Sequence, residues 1–443
     1  MAKDEVEIDK DGFFMTDARQ TAFHALSKME RDNAYSNLLL PEIAAAEDIS
    51  RRDMLLAYRI VKTVLERKIT IDYNLSLYLT QPLKKLKPQV LTILRMGASQ
   101  LLFMDKIPPS AAINESVKLS KKNGCAFASG LINAVLRKVS AKGLSLPEDD
   151  SGVRFLSIKY SFPEYICEKF VSYFGKETAE KIMASSLDDG NIYIRKNTLK
   201  NDELTFECEK TDFPENCYII KNSGDISKLP EFINGLFHVQ DLSSQLCCRV
   251  LAPKKGETVI DVCSAPGGKT MTMAQMMEND GKIISCDIHE HKLKLINDTA
   301  ARLGIGIVET RLRNGTDKTA VLPEADKILC DVPCSGFGVT GKKPEIKYKN
   351  QDEIESLPGL QLEILLNSAQ YLKKGGRLVY STCTLLPEEN IEVCRKFLEK
   401  RTDFSPVHID DEIKGMRDGE ALSVLPCDYD CDGFFIAAFE RSE

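Results

Sequence analysis

The chain has 443 residues, more than one ordinary hydrophobic core organises, so two or three domains are expected. Its net charge of −7 excludes a globally basic nucleic-acid binder while leaving local basic surfaces open. No segment approaches the run of about 20 apolar residues that a membrane span needs, and the opening MAKDEVEIDK is acidic, unlike a secretion signal, so a cytosolic protein without a membrane partner is expected.

Residues 1–144 read as an all-α bundle. In MLLAYRIVKTVLERK, Leu56, Ile60 and Val64 recur at helical spacing and Val61 and Leu65 widen the stripe, so that face must be buried. VLTILRMGASQLLFM behaves in the same way. Pro108 and Pro109 suit a helix start, and Gly124 and Ala128 in GCAFASGLINAVLRKV are small enough for close helix packing. Basic residues cluster twice: six lie from Lys118 to Lys142 with no acidic residue among them, and Lys84, Lys85, Lys87 and Arg95 form the second group. Alone, such runs are more often solvated helix faces than binding surfaces.

The polar, acidic SLPEDDSG at 145–152 reads as a linker. From 153 to 235 two helical stretches, PEYICEKFVSYFG and ETAEKIMASSL, precede the strand-like NIYIRKN and NCYII, a small α+β connecting domain. From 236 to 443 the rhythm becomes strand, glycine-bearing turn, helix. TVIDVC, IISCDI, IGIVETRL, KILCDV and RLVYSTC have the length and character of buried strands, and helical stretches separate them. Right-handed crossovers then give a Rossmann-like α/β domain with a mostly parallel, doubly wound sheet, whose ligand site lies at the carboxyl ends of the strands.

The first of these strands runs into VIDVCSAPGGKT, residues 259–270. It carries no GxGxxG, and Cys263 stands where a phosphate-binding loop would need a glycine, so neither a dinucleotide site nor a Walker motif is present. What remains is a turn that lets the backbone approach a ligand, with Asp261 at the strand end and free amides at the helix start. Asp287 ends the next strand at the offset where an acidic side chain takes ribose hydroxyls, although alone it could equally be a helix N-cap. In series, the loop and the aspartate suit an adenosyl cofactor.

Two later strands end in cysteine motifs, LCDVPCSGFG with Asp331 and Cys334 and LVYSTCTLLPEEN with Cys383, and both should project into one crevice. Carbon 5 of cytosine is a poor nucleophile until a thiolate adds at carbon 6 and turns the ring into an enamine. A cysteine suits that step because its thiolate both attacks and leaves. Asp331 is suited to hydrogen-bond ring nitrogen 3, Cys334 to assist removal of the carbon-5 proton, and a helix start after Pro387 to help ionise Cys383. The other cysteines, of fourteen in all, should be reduced and mostly buried. Cys427 with Cys431, and Cys247 with Cys248, lack a second ligand pair at zinc spacing, so no metal site is expected.

VIDVCSAPGGKT, ILCDVPCSGFG, LVYSTCTLLPEEN, FHVQDLSSQL and the final DGFFIAAFE closely resemble the bacterial RNA cytosine-carbon-5 methyltransferases of the NOL/NOP/Sun family. ARQTAFHALSKM, PPSAAINESVKLSKK and GLINAVLRKV resemble the NusB RNA-binding fold, and the two resemblances together cover nearly the whole chain. They imply S-adenosylmethionine as cofactor, lined by Cys263, Ser264, Ala265, Pro266, Gly267, Gly268 and Lys269, with its ribose on Asp287 and Asp331 beside cofactor and base. They make Cys383 the nucleophile and Cys334 the release-assisting cysteine, an order that distinguishes these enzymes from the DNA cytosine methyltransferases. Where the family usually has an aspartate near the adenine, this chain has Asn314, which accepts a hydrogen bond and adds an amide donor.

The same combination implies 16S ribosomal RNA as the substrate, met before or during small-subunit assembly, and a monomer is the default expectation. Lys342, Lys343 and Lys347 in GKKPEIKYK follow the Asp331 motif and either touch RNA phosphates or form a solvated loop. The target cytosine must be flipped or single-stranded for both ring faces to be reached. Two rivals stay open, the same chemistry on transfer RNA and an RNA-binding assembly factor without catalysis. An amino-methyltransferase would carry an Asn/Asp-Pro-Pro-aromatic motif where this chain has DVPC.

Overall fold

In a computed structural model the described residues are 17–32, 42–43, 49–149, 152–188, 190–221, 224–319 and 321–442. The acidic first ten residues and positions 150 and 151 of the expected linker lie outside them. The chain divides into two compact units, one running to Leu187 and also taking Thr340–Tyr348, the other holding the remainder.

In the first unit, helices Ala18–Asp32, Arg51–Glu66, Lys68–Ser76, Pro88–Phe103, Pro109–Lys122 and Ser129–Lys142 share one core. Ile60, Val61, Val64 and Leu65 are buried in it and Leu56 packs at its edge. Ser50 starts that helix as its N-cap, with Oγ accepting the Asp53 amide at 3.1 Å. Pro88 and Pro109 stand in the first turns of their helices, where no amide donor is missed.

Close helix approach falls at Gly97, where a Cβ would lie 2.5 Å from Leu136 Cδ1. Gly124 has open space around it and a φ of +70°, so that glycine serves the turn rather than the packing. Arg95 leaves the expected basic cluster. It is buried, and its guanidinium donates to both oxygens of Asp72 at 2.8 Å and to Glu30, because a charge inside the bundle survives only when paired. Lys84, Lys85 and Lys87 remain exposed.

Three further helices, Val153–Tyr160, Glu164–Phe174 and Lys176–Ser185, belong to this unit. They are tied to it by the Ser161 hydroxyl, which accepts the Ile69 amide at 2.8 Å, and by Thr70 Oγ1 on the Ile158 carbonyl. The stretch expected as one connector over 153–235 is therefore divided, these three helices in the first unit and its strands, with the short helix Pro230–Ile233, in the second.

In the second unit β1 (Ile192–Lys196), β2 (Cys208–Lys210), β3 (Cys217–Ile220) and β4 (Phe237–Val239) form an antiparallel sheet in the order β2-β3-β1-β4. The larger sheet holds β5 (Thr258–Asp261), β6 (Lys282–Asp287), β7 (Val308–Leu312), β8 (Ala325–Asp331), β9 (Leu372–Thr382), β10 (Phe404–Val407), β11 (Met416–Asp418), β12 (Ala421–Val424) and β13 (Phe434–Arg441). Its order is β11-β12-β13-β9-β8-β5-β6-β7, with β10 on the remaining part of β13. Pairings among β5 to β9 are parallel and those of β10 to β13 antiparallel, a Rossmann-like core extended by a C-terminal antiparallel wing.

Strand order reverses beside β5: β6 and β7 build outward on one side, β8 and β9 on the other. A crevice opens at such a switch point beyond the carboxyl ends. Asp261 ends β5, Asp287 ends β6, and Asp331 ends β8 in register with Ser381 of β9. Among the described residues no helix is long and apolar enough to cross a membrane.

Candidate active site

The loop after β5 folds back on the end of β6. Ser264 donates both its amide and its hydroxyl to the Cys286 carbonyl at 2.9 Å, and the Ala265 amide donates to Asp287 Oδ2 at 3.3 Å. Asp287 Oδ1 accepts the His289 amide at 2.9 Å, so this carboxylate caps a turn and also pins the loop. Cys263, Ala265, Gly268 and Lys269 are half-buried, Ser264 and Gly267 buried and Pro266 exposed.

Asp261 is fully buried. Its Oδ2 accepts the Thr270 hydroxyl at 2.6 Å, and its Oδ1 has no partner among the described residues. Burial, helped by the neighbouring carboxylate of Asp331, pushes its pKa up to about 7 despite the Thr270 bond. An unpartnered buried carboxylate oxygen at the foot of a ligand crevice fits a cationic amino group, and the loop glycines and Asp287 fit an adenosyl moiety.

Asn314 follows β7 and is exposed. Its Oδ1 accepts both the amide and the hydroxyl of Thr316, at 3.1 and 3.0 Å. Its acceptor is thus used locally, and the amide donor is what it offers outward.

Asp331 is held by both oxygens, Oδ2 on the Lys269 ammonium at 2.8 Å and Oδ1 on the Ser381 hydroxyl at 2.9 Å. Burial disfavours the Lys269 charge, but the adjacent Asp331 carboxylate outweighs it and raises the pKa, so the ammonium stays charged. Its Nζ also lies 4.8 Å from the Phe434 ring centre, which ties the DGFF segment to the cofactor loop.

The two cysteine sulfurs stand 3.1 Å apart. The Cys334 thiol donates to Cys383 and lowers the Cys383 pKa against burial and the Asp331 charge, with Lys269 adding to the lowering. The same contact, together with burial, raises Cys334 well above its ordinary value. Among the cysteines with a resolved shift, Cys383 alone moves downward. After Pro387 a single 3₁₀ turn, Pro387–Glu389, bearing two glutamates, leads into the helix Ile391–Lys400, so a helix start does follow Pro387.

Sequence reasoning set Lys269 against the cofactor and did not foresee its bond to Asp331. It also passed over Ser381, which lies two residues before Cys383 and whose only signal was its place in that motif.

Lys347 requires a correction. It is fully buried within the first unit, with Nζ donating to the Glu66 and Tyr160 carbonyls at 3.3 and 3.2 Å and lying 4.4 Å from the Phe162 ring centre. An ammonium enclosed in this way does not reach a phosphate. Lys342 and Lys343 are exposed.

The family described as 16S rRNA methyltransferase RsmB/F matches residues 248–440, and the NusB family matches residues 16–141. A probable ribosomal RNA small subunit methyltransferase B of Bacillus subtilis (strain 168) is 37% identical, over 96% of this chain and 99% of its own length. The protein of the same description from Synechocystis is 30% identical over 97% of this chain and all of its own length. The crystal structure of PH0851 overlays with a TM-score of 0.79 at 25% identity, over 95% of this chain and 97% of that one. Since the likeness to these relatives runs through both units and not through one domain alone, the chain belongs to the ribosomal RNA small subunit methyltransferase B family.

Proposed function

We propose that this protein methylates carbon 5 of a specific cytosine in 16S ribosomal RNA, with Cys383 as covalent nucleophile and Cys334 assisting release. The observation that carries the reading is the pair of cysteines 3.1 Å apart at the ends of neighbouring strands, whose contact lowers the Cys383 pKa.

The cofactor is S-adenosylmethionine, which supplies an electrophilic methyl group on a sulfonium. Asp287 would hold its ribose, the Cys263 to Lys269 loop its backbone-facing side, Asp261 its amino group and Asn314 the adenine edge. The Cys383 thiolate adds to carbon 6 of the base, making carbon 5 nucleophilic toward the methyl. A proton taken up from solvent at nitrogen 3 relieves the negative charge on the ring, and the Asp331 carboxylate, steadied by Lys269 and Ser381, accepts that N–H.

Once Cys383 is bonded to carbon 6 it carries no charge, and the main cause of the raised Cys334 pKa is gone. Cys334 then gives its own proton to solvent and takes the one on carbon 5. The electron pair of that C–H bond re-forms the 5,6 double bond and expels the Cys383 thiolate, and the nitrogen-3 proton returns to solvent.

The first unit is read as the RNA-holding part. No acidic residue occurs between Asp72 and Asp105 or between Glu115 and Glu148. Lys84, Lys85, Lys87, Lys121 and Lys122 are exposed, and Lys87 lies 4.7 Å from the ring centre of Phe127, which is 66% exposed. A solvent-facing aromatic ring with a lysine beside it, in stretches of chain free of acidic residues, suits unstacked bases and the phosphates between them. Lys342 and Lys343 follow the Cys334 loop and are read as further phosphate contacts.

The test is transfer of labelled methyl to unmodified 16S ribosomal RNA by the intact protein and by Cys383→Ala, with 5-methylcytosine mapped by bisulfite sequencing. One cytosine methylated by the intact protein alone is expected. Transfer only to a transfer RNA pool would replace the substrate, and no transfer to any RNA would leave an RNA-binding factor.

A further inference from the structure

The turn after Cys383 carries two adjacent buried polar residues, Glu389 (1% exposed) and Asn390 (2%), that the mechanism above does not use. Each grips the chain on both sides of a different cysteine. Glu389 Oε2 accepts the Ser335 amide at 2.8 Å and Gln361 Nε2 at 2.9 Å, and the same Nε2 reaches the Pro333 carbonyl at 2.9 Å. Of the neighbours of Cys334, residue 335 is thereby held directly on that carboxylate oxygen and residue 333 through the Gln361 amide. Lys349 adds a bond from Nζ to the Ser335 carbonyl at 2.8 Å.

Asn390 does the equivalent for Cys383. Its Oδ1 accepts the Thr382 hydroxyl at 2.6 Å and its Nδ2 donates to the Thr384 carbonyl at 3.0 Å. The two braced loops are also joined directly, Ser335 Oγ to Thr384 Oγ1 at 2.8 Å. The other oxygen of Glu389, Oε1, is buried without a partner among the described residues. A carboxylate is costly to enclose in this state, and such a cost persists where the bonds of the other oxygen matter.

We propose that Glu389 and Asn390 are positioning residues, one for each cysteine, and that together they set the sulfur-to-sulfur contact on which ionisation of Cys383 and release by Cys334 both depend. This rests on the roles given to the two cysteines above. Because the residues are adjacent but serve different loops, loss of one should impair release and loss of the other attack, a division that general destabilisation does not produce.

The experiment uses the full chain with 16S ribosomal RNA and S-adenosylmethionine, and compares Glu389→Ala, Glu389→Gln and Asn390→Ala with Cys334→Ala and Cys383→Ala. The covalent RNA–protein species is followed on a denaturing gel and the alkylation rate of Cys383 is followed against pH. Glu389→Ala is expected to accumulate the adduct, as Cys334→Ala also should, with turnover down about tenfold or more. Asn390→Ala is expected to form adduct about tenfold more slowly without accumulating it. Glu389→Gln keeps an acceptor oxygen for both bonds and should rescue. In both alanine variants the alkylation midpoint of Cys383 moves up in pH.

Equal loss of attack and release in both alanine variants, or an unmoved midpoint in both, would overturn the proposal. Should Glu389→Ala not fold, Gln361→Ala removes only the Pro333 arm and must still slow release more than attack. If Cys334→Ala itself traps no adduct, the release role of Cys334 fails. The alkylation midpoints, which need no RNA, then decide the positioning role separately.

Discussion

The backbone amide of Gly338 donates to the carbonyl of Cys383 at 2.9 Å, and the Gly338 carbonyl in turn accepts the Gly433 amide at 2.9 Å. Three segments far apart in the chain, SGFG, STC and DGFF, thus meet as one layer of backbone behind the cysteine pair. A Cβ at Gly338 would fall 1.9 Å from the Gly433 carbonyl oxygen and 2.8 Å from that of Cys383. Both are backbone atoms that cannot swing aside. Gly338→Ala is expected to cost about 1–3 kcal/mol of stability and to reduce turnover more than RNA affinity, as measured by thermal melting, kcat and RNA binding. Unchanged kcat would show that the layer tolerates the shift.

The lowering of the Cys383 pKa comes first from the Cys334 thiol and second, among attractive partners, from Lys269. Removing the donor in Cys334→Ala should therefore raise the pKa of Cys383, moving the midpoint of its alkylation by iodoacetamide upward. Peptide mass spectrometry at a series of pH values reads it. A midpoint that stays in place would assign the lowering to Lys269, and Lys269→Met should then move it instead.

Lys347 is fully buried, and burial takes its pKa down to about 7. The folded state binds fewer protons here than the unfolded chain, so stability should rise with pH between about 7 and 10 and lie at its lower plateau below that window. Lys347→Met removes the enclosed charge. It is expected to stabilise the first unit by about 1–3 kcal/mol near neutral pH and to flatten that slope, with RNA affinity unchanged. Denaturant melts at a series of pH values provide the measurement, and weaker RNA binding would restore the phosphate role that burial denies this lysine.

Lys121 and Lys122 end the helix Pro109–Lys122, exposed and close in sequence to Phe127. If both contact phosphates, Lys121→Ala with Lys122→Ala should reduce the slope of log affinity against log salt by about 1.4 for single-stranded RNA. Phe127→Ala should weaken binding by about 1–3 kcal/mol with the slope intact. Neither change should alter kcat at saturating RNA. A slope that does not move would leave these lysines as a solvated helix end.

Sequence alone determined the helical first part, the parallel core and the chemistry of its turns. Those features are local or periodic: the stripe from Leu56 to Leu65, strands of buried length before Asp261, Asp287 and Asp331, and cysteines at the ends of two strands. Tertiary structure decided which side chains face one another. Lys347 and Arg95 read as surface cations because a basic residue in a polar run is most often exposed, and only the folded bundle supplies the carbonyls and carboxylates that enclose them. The C-terminal antiparallel wing was not legible as strands by alternation, since six of the eight residues of β13 are buried on both sheet faces. The ionisation of Cys383 was the furthest from reach, because it depends on a thiol 49 residues away that β8 and β9 bring within 3.1 Å.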